Sequence, residues 1–113
     1  TAKKKKYTLG EGNTVSSVEI AYDSLGDYPK AIEYQERYLK IAQEIKDRLG
    51  EGQSLGNLGL AYDSLGDYPK AIEYHKRYLK IAQEIKDRLG EGAALNNLGL
   101  AYYKQGNLRN AES

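Results

Sequence analysis

His75 is the only histidine in the chain, and Gln35 stands at the matching place one repeat earlier. A lone imidazole without a second metal ligand or a paired nucleophile reads as a packing residue, not a catalyst. Asp27 and Asp67 resemble an acid and base pair only by type. Each follows a glycine in the same turn of its own repeat copy, so helix capping through the carboxylate accounts for both. Ser24 and Ser64 have no histidine or lysine arranged to activate a hydroxyl. Gly56, Gly59 and Gly66 fall at helical spacing and are not followed by the Lys and Ser or Thr of a phosphate loop, so close backbone approach explains them better. The 11 tyrosines recur mostly at matched places, such as Tyr22, Tyr62 and Tyr102 or Tyr38 and Tyr78. That recurrence marks core positions and not a base-stacking platform. With no cysteine, disulfides, thiolate metal sites and cysteine nucleophiles are excluded together. The expectation is a chain with no catalytic residues, metal or cofactor.

Charge points the same way. Lys and Arg total 17 against 16 Asp and Glu, so no overall field selects nucleic acid or an anionic membrane. The run Lys3 to Lys6 reads as a solvated tail. Thr1-Ala2-Lys3 lacks the apolar core of a signal peptide, and no segment approaches the roughly 20 apolar residues of a membrane span. These features predict a soluble, cytoplasmic chain. The start at Thr1, without an initiator methionine, fits a fragment or processed chain.

The 113 residues suit one domain, and repetition organises it. Glu11 to Gly50 recurs as Glu51 to Gly90, and a third copy opens at Glu91, so the reading is residues 1–12 as a tail or the end of a preceding repeat, then repeats at 11–50, 51–90 and, in part, 91–113. Leu55, Leu58, Tyr62 and Leu65 recur every three or four residues, which predicts a first helix with these on its apolar face. Gly66 suits the left-handed helix end, Asp67 the next N-cap and Pro69 the first turn. A second helix should run from about Tyr68 to Lys86, burying Ala71, Tyr74, Tyr78, Ile81, Ala82 and Ile85. Beyond it, Asp87 could cap a helix starting near Arg88 with Gly90 and Gly92 inside, or those glycines could form a loop before a helix starting near Ala93. A two-residue link makes an antiparallel hairpin, and one hairpin cannot bury its faces alone. The fold expected is all-α, a right-handed superhelical solenoid of stacked hairpins.

Leu55, Leu58-Gly59, Tyr62, Gly66-Asp67-Tyr68 and Ala71 resemble the tetratricopeptide repeat pattern. The third copy repeats it through Leu95, Leu98-Gly99, Tyr102, Gly106 and Ala111. In the first copy Val15, Val18, Tyr22, Gly26 and Ala31 fit, but Glu19 replaces the close-packing glycine. Gln35 and His75 stand at an aromatic position. The 40-residue period, with the Asp-Arg-Leu-Gly-Glu-Gly joint, resembles the longer-helix branch that includes Pins-type spindle-orientation adaptors.

The resemblance implies a scaffold that binds a protein or peptide partner on the face lined by the first helices. Carried over by position, the candidate peptide-binding residues are Ser17, Ile20, Asn57, Leu60, Asp63, Asn96, Asn97, Leu100, Tyr103 and Lys104. Asn offers both a donor and an acceptor to an extended backbone, and Leu60 and Leu100 add apolar contact. A carboxylate clamp is not supported, since Lys104 alone is basic in that stripe. The rival reading is a structural or engineered repeat module that associates with itself, because the third copy presents Leu95, Leu98, Tyr102 and Leu108 without a complete second helix to cover them.

Overall fold

The computed structural model describes residues 27–112, which form four helices, α1 (Tyr28–Glu44), α2 (Arg48–Leu65), α3 (Tyr68–Glu84) and α4 (Arg88–Glu112). No strand occurs among the described residues. Two kinds of joint alternate, and each is written in the sequence beside it.

The α2–α3 joint is Gly66-Asp67. Gly66 takes φ 79°, and its amide donates to the Asp63 carbonyl at 3.0 Å while that of Asp67 donates to Tyr62 at 2.9 Å. A residue with a Cβ is disfavoured at this φ, so glycine ends the helix here. The Asp67 carboxylate then accepts from the Lys70 amide at 3.3 Å, satisfying one of the orphan donors of α3, and Pro69 sits in the first turn where no donor is needed. Asp27 caps α1 in the same way.

The α1–α2 and α3–α4 joints use the same hydrogen-bond scheme with a different residue. Lys46 and Lys86 both adopt φ 58°. Asp47 N–H donates to Ala42 at 2.8 Å and Lys46 N–H to Gln43 at 3.2 Å, closing the carbonyls of α1, and Asp87 and Lys86 close α3 alike. The second helices therefore stop at Glu44 and Glu84, short of the Lys86 the pattern predicts, and Ile85 falls outside the core at 37% exposure. The left-handed conformation costs an L-residue roughly 1–2 kcal/mol, part of which glycine would give back as unfolded-state entropy. Lys86→Gly is accordingly expected to raise stability by about 0.5 kcal/mol in thermal unfolding, and a loss would place the strain elsewhere.

Of the two starts expected for the first-type helices, Arg88 is the one found, with Arg48 as its equivalent. Asp47 accepts from the Gly50 amide at 2.9 Å and Asp87 from Gly90 at 3.0 Å, so the cap stabilises a first turn that carries its glycines inside.

Each helix packs on the next, and α2 also touches α4 across α3. The core is built from Leu55, Leu58, Ile72, Ile81 and Leu98 with alanines 31, 42, 61, 71, 82, 94 and 101, and the alanines let the axes approach closely. Leu65, expected on the apolar face of α2, lies half exposed at the helix end.

Candidate functional site

The α2–α3 interface sets the frame for every other surface. A Cβ on Gly52 would lie 3.2 Å from the side chains of Ile81 and Tyr78, on Gly56 2.7 Å from the Tyr78 ring, and on Gly59 2.5 Å from His75 Cε1. Three glycines thus form a groove that receives three side chains of α3. Tyr62 stacks on Tyr74 at 5.5 Å between centroids, with the Lys70 ammonium over the Tyr62 ring. Burial pushes the Tyr78 hydroxyl above its usual range, and the nearby Asp87 charge adds to this. Tyr38 is raised by burial and by Asp47.

His75 is wholly buried, as a packing residue should be, and it also has a polar partner. Its Nε2 lies 3.1 Å from Asp63 Oδ2, while Nδ1 and Asp63 Oδ1 have no partner. In the preceding repeat, buried Gln35 stands at this place. There Ser54 Oγ donates to the Gln35 carbonyl oxygen at 3.0 Å and lies 2.9 Å from its Oε1. Where the repeat carries His75, alanine at 94 replaces the serine. The polar core group and its partner therefore change together from copy to copy, and neither is arranged for chemistry.

The candidate peptide-binding residues divide three ways. Ser17 and Ile20 lie outside the described residues. Asn57 with Leu60 on α2, and Asn97 with Leu100 and Lys104 on α4, occupy matching positions on two helices that touch; the asparagines are half-buried, the leucines 46% and 47% exposed. Among the described residues neither Asn57 nor Asn97 has a hydrogen-bond partner for its side-chain amide. The other three face α3 or its equivalent. The Asp63 carboxylate is turned to His75 and its side chain is only 10% exposed. Asn96 matches Gly56, which lies under Tyr78, and Tyr103 matches Asp63, so both belong to the face of α4 that corresponds to the α3-covered face of α2. Gly56 is itself buried, as the close backbone approach expected of it requires.

On α4 that second face is open. Leu95 is 52% exposed where Leu55 is fully buried, Tyr102 is 48% exposed, and Leu89 is 88% exposed. Nothing lies within 4 Å of a Cβ built on Gly92 or Gly99. A charged clasp marks the edge of the covered face. Arg48 holds Glu51 at 2.9 Å and also the Glu84 carboxylate of α3. Sequence reading missed this clasp, although Arg48 and Glu84 recur with the repeat. Arg88, its counterpart on α4, meets Glu91 at 3.4 Å and is otherwise exposed.

No metal-ligating cluster of histidine, cysteine or carboxylates, and no helix long and apolar enough to cross a membrane, occurs among the described residues.

A family model described as a tetratricopeptide repeat matches residues 19–84 and 66–113. Among solved structures the chain is similar to the TPR domain of Arabidopsis FLU, with a TM-score of 0.83 at 24% identity, over 93% of this chain and 88% of that one. No curated protein matches the sequence.

Proposed function

Since the chain belongs to the tetratricopeptide repeat family, whose repeats are generally protein-interaction scaffolds, we propose that it binds a partner peptide or helix along the stripe formed by α2 and α4. The observation that carries this reading is the matched pair of amides. Asn57 and Asn97 stand one repeat apart with no internal partner, each followed three residues later by an exposed leucine. An extended backbone laid across the two helices would receive a donor and an acceptor from each amide, with the leucines gripping its side chains. Ser17 and Ile20 would continue the stripe in the first repeat. Lys104 adds one cation at its far end, which favours a segment carrying a carboxylate there. Repeat units at 11–50, 51–90 and 91–113 follow from the same register, and the 40-residue period supports the longer-helix branch that includes the Pins-type adaptors. A role as a scaffold without catalysis fits the capping and packing tasks found for Asp27, Asp67 and His75.

The test uses a peptide selected from a random displayed library against the 113-residue chain. Asn57→Ala with Asn97→Ala is expected to weaken it about thirtyfold in calorimetry, because each of the two amides contributes roughly 1 kcal/mol. Unchanged affinity with unchanged helicity would move the binding surface off α2 and α4.

A second reading, self-association through the exposed face of α4, is favoured by Leu95, half exposed at the place where Leu55 is buried.

A further inference from the structure

Resting on the reading of α2 and α4 as a peptide site, we infer that their stripe selects an uncharged segment in the polyproline II conformation, with an apolar side chain at every third residue. Burial defines the stripe. Between Gly52 and Ser64 the exposed residues of α2 are Gln53, Leu60 and Ser64, with half-buried Asn57 between them on the same side of the helix. On α4, Ala93, Asn97, Leu100 and Lys104 hold the matching places in the same burial classes. Leu60 and Leu100 are 46% and 47% exposed, although α2 has helices packed against it on both sides and α4 does not. This side is therefore open even where every neighbour is in place.

Two observations select the occupant. The first is the lack of charge. Lys104 is the only charged side chain in the stripe, and Asn13, Ser17, Ile20 and Ser24, at the same places in the sequence of the first copy, are uncharged as well. The exposed side of α3, by contrast, carries Glu73, Lys76, Arg77, Lys80 and Glu84. A charged segment laid in the stripe would lose water without gaining a counter-charge, whereas a neutral one loses little. The stripe thus discriminates by what it withholds, and Lys104 admits one carboxylate over α4.

The second observation is spacing. α2 touches α4, and helices in contact have axes about 8–10 Å apart, so Leu60 recurs as Leu100, and Asn57 as Asn97, at about that distance across the stripe. A β-strand returns a side chain to one face every two residues, about 6.7 Å, and falls out of step with it. Polyproline II returns one every three residues at about 3.1 Å each, a repeat of about 9.3 Å that keeps in step. Its backbone makes no internal hydrogen bonds, so carbonyls one turn apart are free to accept from the Asn57 and Asn97 amides. Those amides have no partner among the described residues.

Three end-capped synthetic peptides of about 12 residues, read by fluorescence anisotropy against the 113-residue chain, test this. One repeats Leu-Pro-Gln, one has every Gln replaced by Glu, and one holds the first peptide's residues in an order that breaks the period of three. The Leu-Pro-Gln peptide is expected to bind at least about tenfold more tightly than either of the others. Its affinity should change less than about twofold between about 50 mM and about 500 mM salt, since no ion pair forms. Asn57→Ala with Asn97→Ala should retain helicity by circular dichroism and weaken it about thirtyfold. Equal binding of the glutamate peptide overturns the selection against charge, equal binding of the reordered one overturns the period of three, and either result sinks the inference. Binding by none of the three up to about 1 mM sinks it too. The peptide-site reading falls with it only if library-selected peptides also ignore the loss of Asn57 and Asn97.

Discussion

Leu55→Ala is expected to destabilise the fold by about 3 kcal/mol, while Leu95→Ala, at the same register position one repeat later, is expected to cost less than about 0.5 kcal/mol. The two leucines differ in their immediate neighbours, Ser-Leu-Gly-Asn against Ala-Leu-Asn-Asn, but hold the same place on a first-type helix. Their environments differ. Leu55 is fully buried within the interface of α2 with its flanking helices, whereas Leu95 is 52% exposed on the face of α4 that has no helix against it. Truncating the first removes apolar area and leaves a cavity that the alanine-rich surroundings cannot collapse to fill. Truncating the second removes surface already in water. At roughly 4–8 °C per kcal/mol for a domain of this size, the first variant should melt more than 10 °C below the second. Urea unfolding at a concentration too low for association gives the comparison directly, and equal costs would mean that α4 is covered in solution.

The same contrast explains which parts of the site were legible. Gly66-Asp67-Tyr68-Pro69 announced its joint because each residue has one strong local role there, from left-handed glycine to first-turn proline. The Ile45–Asp47 joint has none of those signals. Lys46 carries no turn preference, and only the six-residue hydrogen-bond loop from Asp47 to Ala42 forces it to positive φ. Among the candidate residues, Asn57, Leu60, Asn97, Leu100 and Lys104 follow from helical periodicity alone. Asp63 does not, because periodicity places it beside Leu60 but cannot see that His75 of the next helix turns its carboxylate inward. Asn96 and Tyr103 fail for a related reason. Register assigns a residue to a side of its helix, and only the presence or absence of a packed neighbour decides whether that side is core, groove or open face. The Gln35–Ser54 and His75–Asp63 pairs were visible only as mismatches, since a polar residue at an aromatic position needs its partner's coordinates to become an explanation.

Gly59→Ala and Gly99→Ala should move stability in opposite directions although both replace the glycine of a Leu-Gly-Leu-Ala-Tyr run. Helix propensity favours alanine at either site by about 1 kcal/mol. At Gly99 nothing opposes it, since no atom lies within 4 Å of the added methyl, and a gain of that order is expected. At Gly59 the methyl would sit 2.5 Å from His75 Cε1 and 2.6 Å from Nδ1. The ring cannot retreat cheaply: it is wholly buried, and its Nε2 is tied to Asp63 at 3.1 Å. Overpacking of this kind costs typically about 1–3 kcal/mol, which set against the propensity gain leaves a net loss of about 1 kcal/mol. A double-mutant cycle isolates the collision. His75→Ala alone should be destabilising, because it opens a cavity and strips Asp63 of its partner. In the Gly59→Ala background it should cost at least about 1 kcal/mol less, since the collision goes with the ring. Additive costs in that cycle would show that His75 does not occupy the space the missing Cβ leaves, and would remove the close approach at Gly59 as the reason for glycine at that position.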